Sequence, residues 1–188
     1  TVSGTSISFG SAATFTSERA DNITATFDSS NNKVVVSYSL AFSALGQSVI
    51  GTISGTSISF GSAVNWDSSG SVEFIDSAFD SSNNKVVIAW QDEGNSSYGT
   101  AIVGTVSGTS ISFGSAVVFE SADTRDIKIE YDSDAQKVVV SYRDVGNSQY
   151  GTAIVGTVSG TSISFGSPVV FATSASEYNG IAYDASAQ

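Results

Sequence analysis

A nine-residue phrase, S-G-T-S-I-S-F-G-S, occurs four times in this chain of 188 residues. The copies begin at Ser3, Ser54, Ser107 and Ser159, so the spacing between them is 51, 53 and 52 residues. Asp28, Asp80, Asp132 and Asp184, each preceded by an aromatic residue, recur every 52 residues. Self-similarity at a period near 50 indicates a repeat architecture in which each copy is one supersecondary unit.

The third copy predicts four β-strands. Ile127–Tyr131 alternates apolar and polar residues, as a half-buried strand does. Lys137–Tyr142 is apolar on both faces, which predicts a strand covered on both sides. Thr152–Val158 forms a third strand, and 162–171 forms a fourth that a Gly-Ser pair interrupts at a bulge. The first complete copy should place its strands near residues 22–27, 33–39, 47–53 and 57–66.

The predicted fold is all-β, a β-propeller-like array of four-stranded antiparallel blades with a period of about 52 residues. A β-solenoid is the alternative. The chain forms a single repeat domain, 1–188, and we expect it to belong to a longer chain or ring, or to associate with other copies. The predicted segments are a partial blade 1–16, blades at about 17–68, 69–120 and 121–172, and a partial blade 173–188.

Aromatic residues recur in register on the fourth strands, which predicts packing in the core of every blade. They are Phe9, Phe60, Phe113 and Phe165, with Phe15, Trp66, Phe119 and Phe171. Small residues also recur on the second and third strands, where they would let neighbouring blades pack closely. These are Ser37, Ala89 and Ser141, with Gly51, Gly104 and Gly156.

Composition excludes several classes of function. The chain has no His, no Cys and no Met, so histidine-based nucleophile pairs and the common zinc sites cannot form. Seven basic residues against eighteen acidic ones give a net charge of −11, which disfavours binding to nucleic acid and to anionic membranes. The acidity favours a self-repelling, soluble surface, with cation binding as the alternative. No apolar run is long enough for membrane insertion.

The composite repeat, read from Tyr131 to Ser167, resembles propeller-type tandem repeats. Its motifs are K-V-V-V-S-Y, G-N-S-Q-Y-G-T-A-I-V-G-T and S-G-T-S-I-S-F-G-S. Similar units occur in tail-fibre and other appendage proteins of bacteriophages and in large surface proteins of bacteria. The resemblance implies a display or adhesion module and transfers no catalytic residues.

The candidate ligand-binding residues lie in loops that a propeller would gather on one face. Two loops share the motif D-x-G-N-S-x-Y, and the connectors between blades supply further charges. Asp, Asn and Ser beside an aromatic ring can hold a sugar by hydrogen bonds and by contact with its apolar face. The alternative is that these are ordinary turn formers and the tyrosines simply pack. The candidates are Asp92, Asn95, Tyr98, Asp144, Asn147, Tyr150, Arg125 and Glu177.

The periodic aspartates raise a calcium hypothesis, because hard cations take several oxygen ligands. D-S-S-N-N lacks the alternating acids and the glycine of an EF-hand loop, however, so turns capped by the aspartate side chain are the favoured interpretation. We expect neither a metal site nor a cofactor.

The leading functional hypothesis is a structural and binding appendage module, extracellular or associated with a virion, such as part of a phage tail fibre or a secreted adhesin. Its partners would be other copies or remaining blades of the assembly, and a cell-surface glycan. A stand-alone carbohydrate-binding lectin is the alternative. A glycosidase would need a carboxylate pair from among Glu73, Asp76, Asp123 and Glu177. The S-x-D-x-G-x-T-W box of sialidase propellers is absent, and we expect no enzymatic activity.

Overall fold

The computed structural model describes residues 2–7 and 9–186 and is an all-β structure. Every strand pairing in this part of the chain is antiparallel, and the only helical segments are two 3-10 turns of three residues each. Residues 1, 8, 187 and 188, which belong to the predicted partial blades, lie outside the described residues. Within those described ranges, no helix has the length and hydropathy that a membrane crossing requires.

Three units repeat one strand pattern after a short hairpin of β1 (Val2–Ser3) and β2 (Ser6–Ile7). Unit 1 comprises β3 (Ala20–Asp28), β4 (Lys33–Leu40), β5 (Gly46–Ser54), β6 (Ser57–Phe60) and β7 (Val64–Asp67). Unit 2 comprises β8 (Val72–Asp80), β9 (Lys85–Asp92), β10 (Tyr98–Ser107), β11 (Ser110–Phe113) and the first half of β12 (Val117–Asp132). Unit 3 comprises the second half of β12, then β13 (Lys137–Asp144), β14 (Tyr150–Ser159), β15 (Ser162–Phe165) and β16 (Val169–Ala175).

The strand positions confirm the sequence prediction, including the broken fourth strand. In each unit the first three strands pair in chain order, and both pieces of the fourth strand pair with the third. In unit 1, for example, Phe60 of β6 lies opposite Gly51 and Asn65 of β7 lies opposite Gln47. Because β12 serves units 2 and 3, those two units form one nine-stranded sheet, while unit 1 forms a five-stranded sheet.

The periodic aspartates cap the turn between the first and second strands. Asp28 Oδ1 accepts hydrogen bonds from the backbone N–H groups of Ser30 at 3.0 Å and Asn31 at 2.9 Å. Asp80 and Asp132 make the same pair of bonds. The turn interpretation of these residues is therefore confirmed.

The apolar core lies between consecutive units. We call the face of a unit on the side of the preceding repeat its leading face, and the face on the side of the following repeat its trailing face. Between units 1 and 2, the trailing residues Val35, Ile50 and Trp66 pack against the leading residues of unit 2, which are Val86, Ile88, Trp90 and Ile102. Between units 2 and 3, Val87, Val103 and Phe119 pack against Val138, Val140, Tyr142 and Ile154. A single unit therefore cannot bury its own apolar surface.

An aromatic pair recurs at each junction. An aromatic residue that precedes the first strand of each unit contacts the aromatic residue on that unit's second strand, with ring centroids 4.8 to 5.4 Å apart. The pairs are Phe15 with Tyr38, Trp66 with Trp90, and Phe119 with Tyr142. Tilted ring pairs at this separation stabilise a core beyond their burial alone.

The glycine that follows phenylalanine in the repeated phrase permits backbone contact between units. A Cβ at Gly61 would lie 2.0 Å from the carbonyl oxygen of Thr109, and one at Gly114 would lie 1.8 Å from that of Thr161. Gly10 lies in the same way against Thr56, where the distance would be 1.8 Å. Only glycine fits these three positions, because a side chain would overlap the next unit's S-G-T turn.

The third-strand glycines act within their own unit rather than between units, which corrects the prediction for them. A Cβ at Gly104 would lie 2.7 Å from Ile111 Cδ1 and 3.0 Å from Phe113, both on the paired fourth strand. Gly51 and Gly156 have the same neighbours in their units. Their missing side chains make room for the fourth-strand residues.

The prediction that every repeated aromatic is a core residue is wrong at the two ends of the array. Trp66 and Phe119 are buried, but Phe171 is 57% exposed and Phe9 is 83% exposed. Phe171 shares its repeat position with Trp66 and Phe119, and Phe9 shares its position with the half-buried Phe60, Phe113 and Phe165. In both cases the exposed residue has no packed neighbour on one side among the described residues.

Candidate ligand-binding face

The D-x-G-N-S-x-Y loops owe their shape to their first residue. Asp92 accepts a hydrogen bond from the Asn95 backbone N–H at 3.1 Å and so caps a 3-10 turn, and Asp144 caps the matching turn by accepting from Asn147 N–H at 3.0 Å. Both aspartates are buried. Their carboxylates therefore stabilise the turn by accepting hydrogen bonds from its backbone N–H groups, and they do not point outwards to a ligand.

The remaining loop residues are accessible to a ligand. Asn95 and Asn147 are exposed, and Tyr98 and Tyr150 are half-buried at the start of the third strand. The two residues before each tyrosine adopt left-handed backbone conformations, which turn the chain sharply into that strand. Unit 1 has a different loop here, in which Glu18 accepts from the backbone N–H groups of Phe42 and Ser43.

The connectors between units pack against these loops, as expected from the sequence. Glu93 N–H donates to Ser71 O at 3.1 Å, and Thr124 N–H donates to Ser97 O at the same distance. In unit 3, Ser176 N–H donates to Gln149 O at 3.0 Å. Both kinds of loop therefore lie at one edge of the array, which we call the loop edge.

Arg125 joins the unit 2 loop through Asp123. Its guanidinium makes two hydrogen bonds to the Asp123 carboxylate, at 3.1 and 2.8 Å, and this contact raises the pKa of Arg125. Asp123 also accepts from Gln91 Nε2 at 2.7 Å and lies opposite Tyr98 in the strand pairing. Asp92, Asn95, Tyr98 and Arg125 thus form one group.

Glu177 joins the unit 3 loop through Arg143, a residue that the sequence alone did not single out for binding. Arg143 Nη1 lies 3.2 Å from Glu177 Oε1, and Arg143 Nε lies 3.0 Å from Asp126 Oδ2. Since Arg125 lies opposite Arg143 in the strand pairing, the two groups form a continuous strip of charged side chains. Tyr150, Asn147 and Asp144 complete the second group.

A cavity of about 330 Å³ opens beside this strip. Its lining contains two rings, a carboxylate, an amine and an amide. Three of these residues, Phe74, Asp126 and Tyr178, occupy the same position in successive repeats and have a positive φ. At Phe74 and Asp126 the first strand bulges. The lining residues are Phe74, Asp126, Ile127, Lys128, Tyr178 and Asn179. The only signal in the sequence is that the bulge position carries a different residue in every copy.

Three of the four carboxylates considered for a glycosidase, Asp76, Asp123 and Glu177, are engaged in other contacts. Asp76 accepts from Thr24 Oγ1 and from the backbone N–H of Ile129, both at 3.1 Å, and so links the first strands of all three units. Burial and the neighbouring Glu93 raise the pKa of Glu73, while Arg125 lowers it. Among residues 2–7 and 9–186, no three acidic side chains are grouped so as to hold a metal ion.

Comparison of the chain with protein-family models, with curated proteins and with solved structures found no match in any of the three.

Proposed function

We propose that the chain is a structural and binding module of an extracellular or virion appendage, in which a rigid repeat array displays the loop edge to surface glycans. The observation that carries this proposal is the cavity at the loop edge, where two aromatic rings and several polar groups converge. Sugars present hydroxyls along their edges and C–H groups on their faces, so a site for them combines hydrogen-bonding groups with an aromatic surface. Tyr178, which is 89% exposed, is available for such contact.

The loops add repeated weak contacts to this cavity. Asn95 with Tyr98 in unit 2 and Asn147 with Tyr150 in unit 3 form two equivalent pairs, each of an exposed asparagine and a half-buried tyrosine. Weak sites that are repeated on one rigid scaffold gain avidity for a ligand that is itself repeated, such as a glycan coat. Because Arg125 and Arg143 are already paired with carboxylates, the charged strip between the loops offers hydrogen-bonding groups and favours neutral glycans.

The proposed arrangement of the units is a β-propeller in which the first strands are innermost. Its support is that the first strands of consecutive units contact one another through Asp76 and that each unit continues into the next without a long linker. Concatenated chains with added 52-residue repeats test it. A propeller closes at a fixed number of units, so at that number the chain should be a compact ring with a smaller radius of gyration than a linear stack of the same length, whereas a solenoid lengthens by the same step with every repeat.

Glycan binding is tested by applying the purified chain to an array of surface glycans and comparing Tyr178→Ala with Phe42→Ala. Both are highly exposed aromatics in the loop regions, but Phe42 (80% exposed) lies in the loop that lacks the motif. We expect Tyr178→Ala to weaken binding by about fivefold, since a ring contact contributes about 1 kcal/mol, and Phe42→Ala to leave it unchanged. No retained glycan, or equal losses in both variants, would contradict the proposal.

The appendage location has its own test. Antibodies against the chain should label intact virions or unpermeabilised cell surfaces. Label that appears only after cells are opened would contradict that part of the proposal.

A further inference from the structure

The trailing face of unit 3 is built like an interior surface but lies open. Val155 is 47% exposed, whereas Val103 at the matching position of unit 2 is completely buried. Val169 and Phe171 are likewise exposed, although their counterparts in units 1 and 2 are at least half-buried. Three large apolar side chains thus form one exposed surface that continues the established interface between units.

Two residues on this face, Phe171 and Gly166, lack the partners that the corresponding residues contact at the junctions between units. Phe171 corresponds to Phe15, Trp66 and Phe119, each of which packs on an aromatic residue of the next unit, but the described residues give Phe171 no such partner. Gly166 corresponds to Gly10, Gly61 and Gly114. The nearest atom to a Cβ there is the Val155 carbonyl oxygen at 3.8 Å, so no threonine carbonyl of a following unit approaches it.

A third contact is already made. Residues 178–184 lie where the first strand of a following unit would run, and Tyr178 has a φ of 55°, close to that of Asp126 one repeat earlier. The Tyr183 hydroxyl accepts from Ser133 Oγ at 3.3 Å. One repeat earlier, the Tyr131 hydroxyl contacts the corresponding turn of unit 2, where it donates to Ser82 Oγ at 2.6 Å. Residues 178–184 therefore occupy the place of the first strand of one more unit.

We propose that the trailing face of unit 3 is a docking surface for the second, third and fourth strands of one further repeat unit, whose first strand is residues 178–184. The occupant must place a Tyr or Trp ring on Phe171 and the carbonyl of an S-G-T turn against Gly166. A second copy of this chain is disfavoured because the leading face of its unit 1 already holds Phe15 and Gly10 in those positions. This inference goes beyond the proposed function, since it holds whether or not the loop edge binds a glycan.

The test adds the missing strands of a further repeat unit to the same polypeptide. A copy of residues 137–172 appended after Gln188 continues the repeat in phase, because Gln188 follows Asp184 as Gln136 follows Asp132. The chain contains no cysteine, so a single Val155→Cys thiol reports how accessible the face is. We expect the extension to slow labelling of that thiol by roughly a hundredfold or more, as burial in a packed interface restricts reaction to rare openings. An extension with the same residues in shuffled order is the control.

Gly166→Ala tests whether the added unit docks in the same way as the units within the chain. In the 188-residue chain we expect it to leave the labelling rate unchanged, whereas in the extended chain it should restore fast labelling by at least about tenfold, since its Cβ meets the threonine carbonyl of the new turn. Unslowed labelling in the extended chain, or equal slowing by the shuffled extension, overturns the proposal. Labelling of the 188-residue chain that slows as its concentration rises also overturns it, because the occupant would then be a second copy.

Discussion

Phe119 and Phe171 occupy the same position in successive repeats, on strands that pair with equivalent third strands, yet one is 8% exposed and the other 57%. The difference arises from the unit on the far side of each ring. Phe119 packs on Tyr142 of unit 3, at a centroid distance of 5.4 Å, whereas the described residues place no ring on Phe171. Burial in this molecule is therefore a property of junctions between units, not of the units themselves.

The largest expected effect compares those two residues. Phe119→Ala should lower the free energy of unfolding by about 3–5 kcal/mol, because it empties a packed junction. Phe171→Ala should lower it by less than about 1 kcal/mol, since most of that ring is already in water. Urea unfolding followed by the fluorescence of Trp66 and Trp90 measures both. Equal costs would mean that the face of unit 3 is covered in solution.

The glycines of the repeated phrase give the second comparison. Gly114→Ala should destabilise the chain by about 1–3 kcal/mol, since the new Cβ would overlap the Thr161 carbonyl and the junction must open to admit it. Gly166→Ala should change stability by no more than about 0.5 kcal/mol, because its surroundings are open. Thermal unfolding of the two variants side by side provides the measurement, and a neutral Gly114→Ala would show that units 2 and 3 are not in backbone contact at this position.

The hydrogen bonds of Asp76 between first strands allow the two junctions to be compared through polar contacts. Asp76→Ala should cost about 1–3 kcal/mol, because it leaves the Ile129 N–H without its acceptor between units 2 and 3. Thr24→Val removes only the bond between units 1 and 2 and should cost about 1 kcal/mol. Urea midpoints distinguish the two variants, and a smaller loss for Asp76→Ala than for Thr24→Val would refute the bridging role.

The smallest effect is a pH dependence at the junction of units 1 and 2. Burial, and the nearby Asp92 carboxylate, raise the pKa of Asp67, so the folded state binds a proton more readily than the unfolded state. The charged form is then the disfavoured one when folded, and stability falls as pH rises through the raised pKa. Asp67→Asn should be more stable than the parent at pH 7, by less than about 1 kcal/mol, and should lose that advantage as the pH falls toward about 4.

The control for this prediction is Ala172→Asp, at the matching position of unit 3. No counterpart of Asp92 covers that position among the described residues, so the new carboxylate should add little pH dependence. Urea midpoints at several pH values test both variants. An advantage for Asp67→Asn that grows on acidification would contradict the assignment.

The repeat made most of the fold predictable from sequence. The alternation in Ile127–Tyr131 and the apolar run in Lys137–Tyr142 gave strands with the observed burial, because the period of the pattern matches the pleat of a sheet. The turn role of Asp28 was predictable from its side-chain chemistry. The exposure of Phe171 could not be predicted, because Phe171 has the same sequence environment as Phe119. Only the presence of a neighbouring unit distinguishes the two residues.

The candidate site was predictable only in part. The D-x-G-N-S-x-Y motif located the loops, but it did not show that the carboxylates of Asp92 and Asp144 accept hydrogen bonds from the loop backbone. The ion pair of Arg143 with Asp126 joins residues on different strands, which spacing along the chain does not reveal. The cavity at Tyr178 depends on a bulge that repeats in geometry but not in residue type.

Thiol labelling of three single-cysteine variants tests the central claim, that units bury their apolar faces only against one another. Ile50→Cys, Val103→Cys and Val155→Cys place one thiol at the same position of the third strand in units 1, 2 and 3, in a chain that has no other cysteine. The first two positions are fully buried and the third is 47% exposed. We predict that the Val155→Cys thiol reacts at nearly the rate of a free thiol, and that the other two react more slowly by about a hundredfold or more. Equal rates at all three positions would contradict the account.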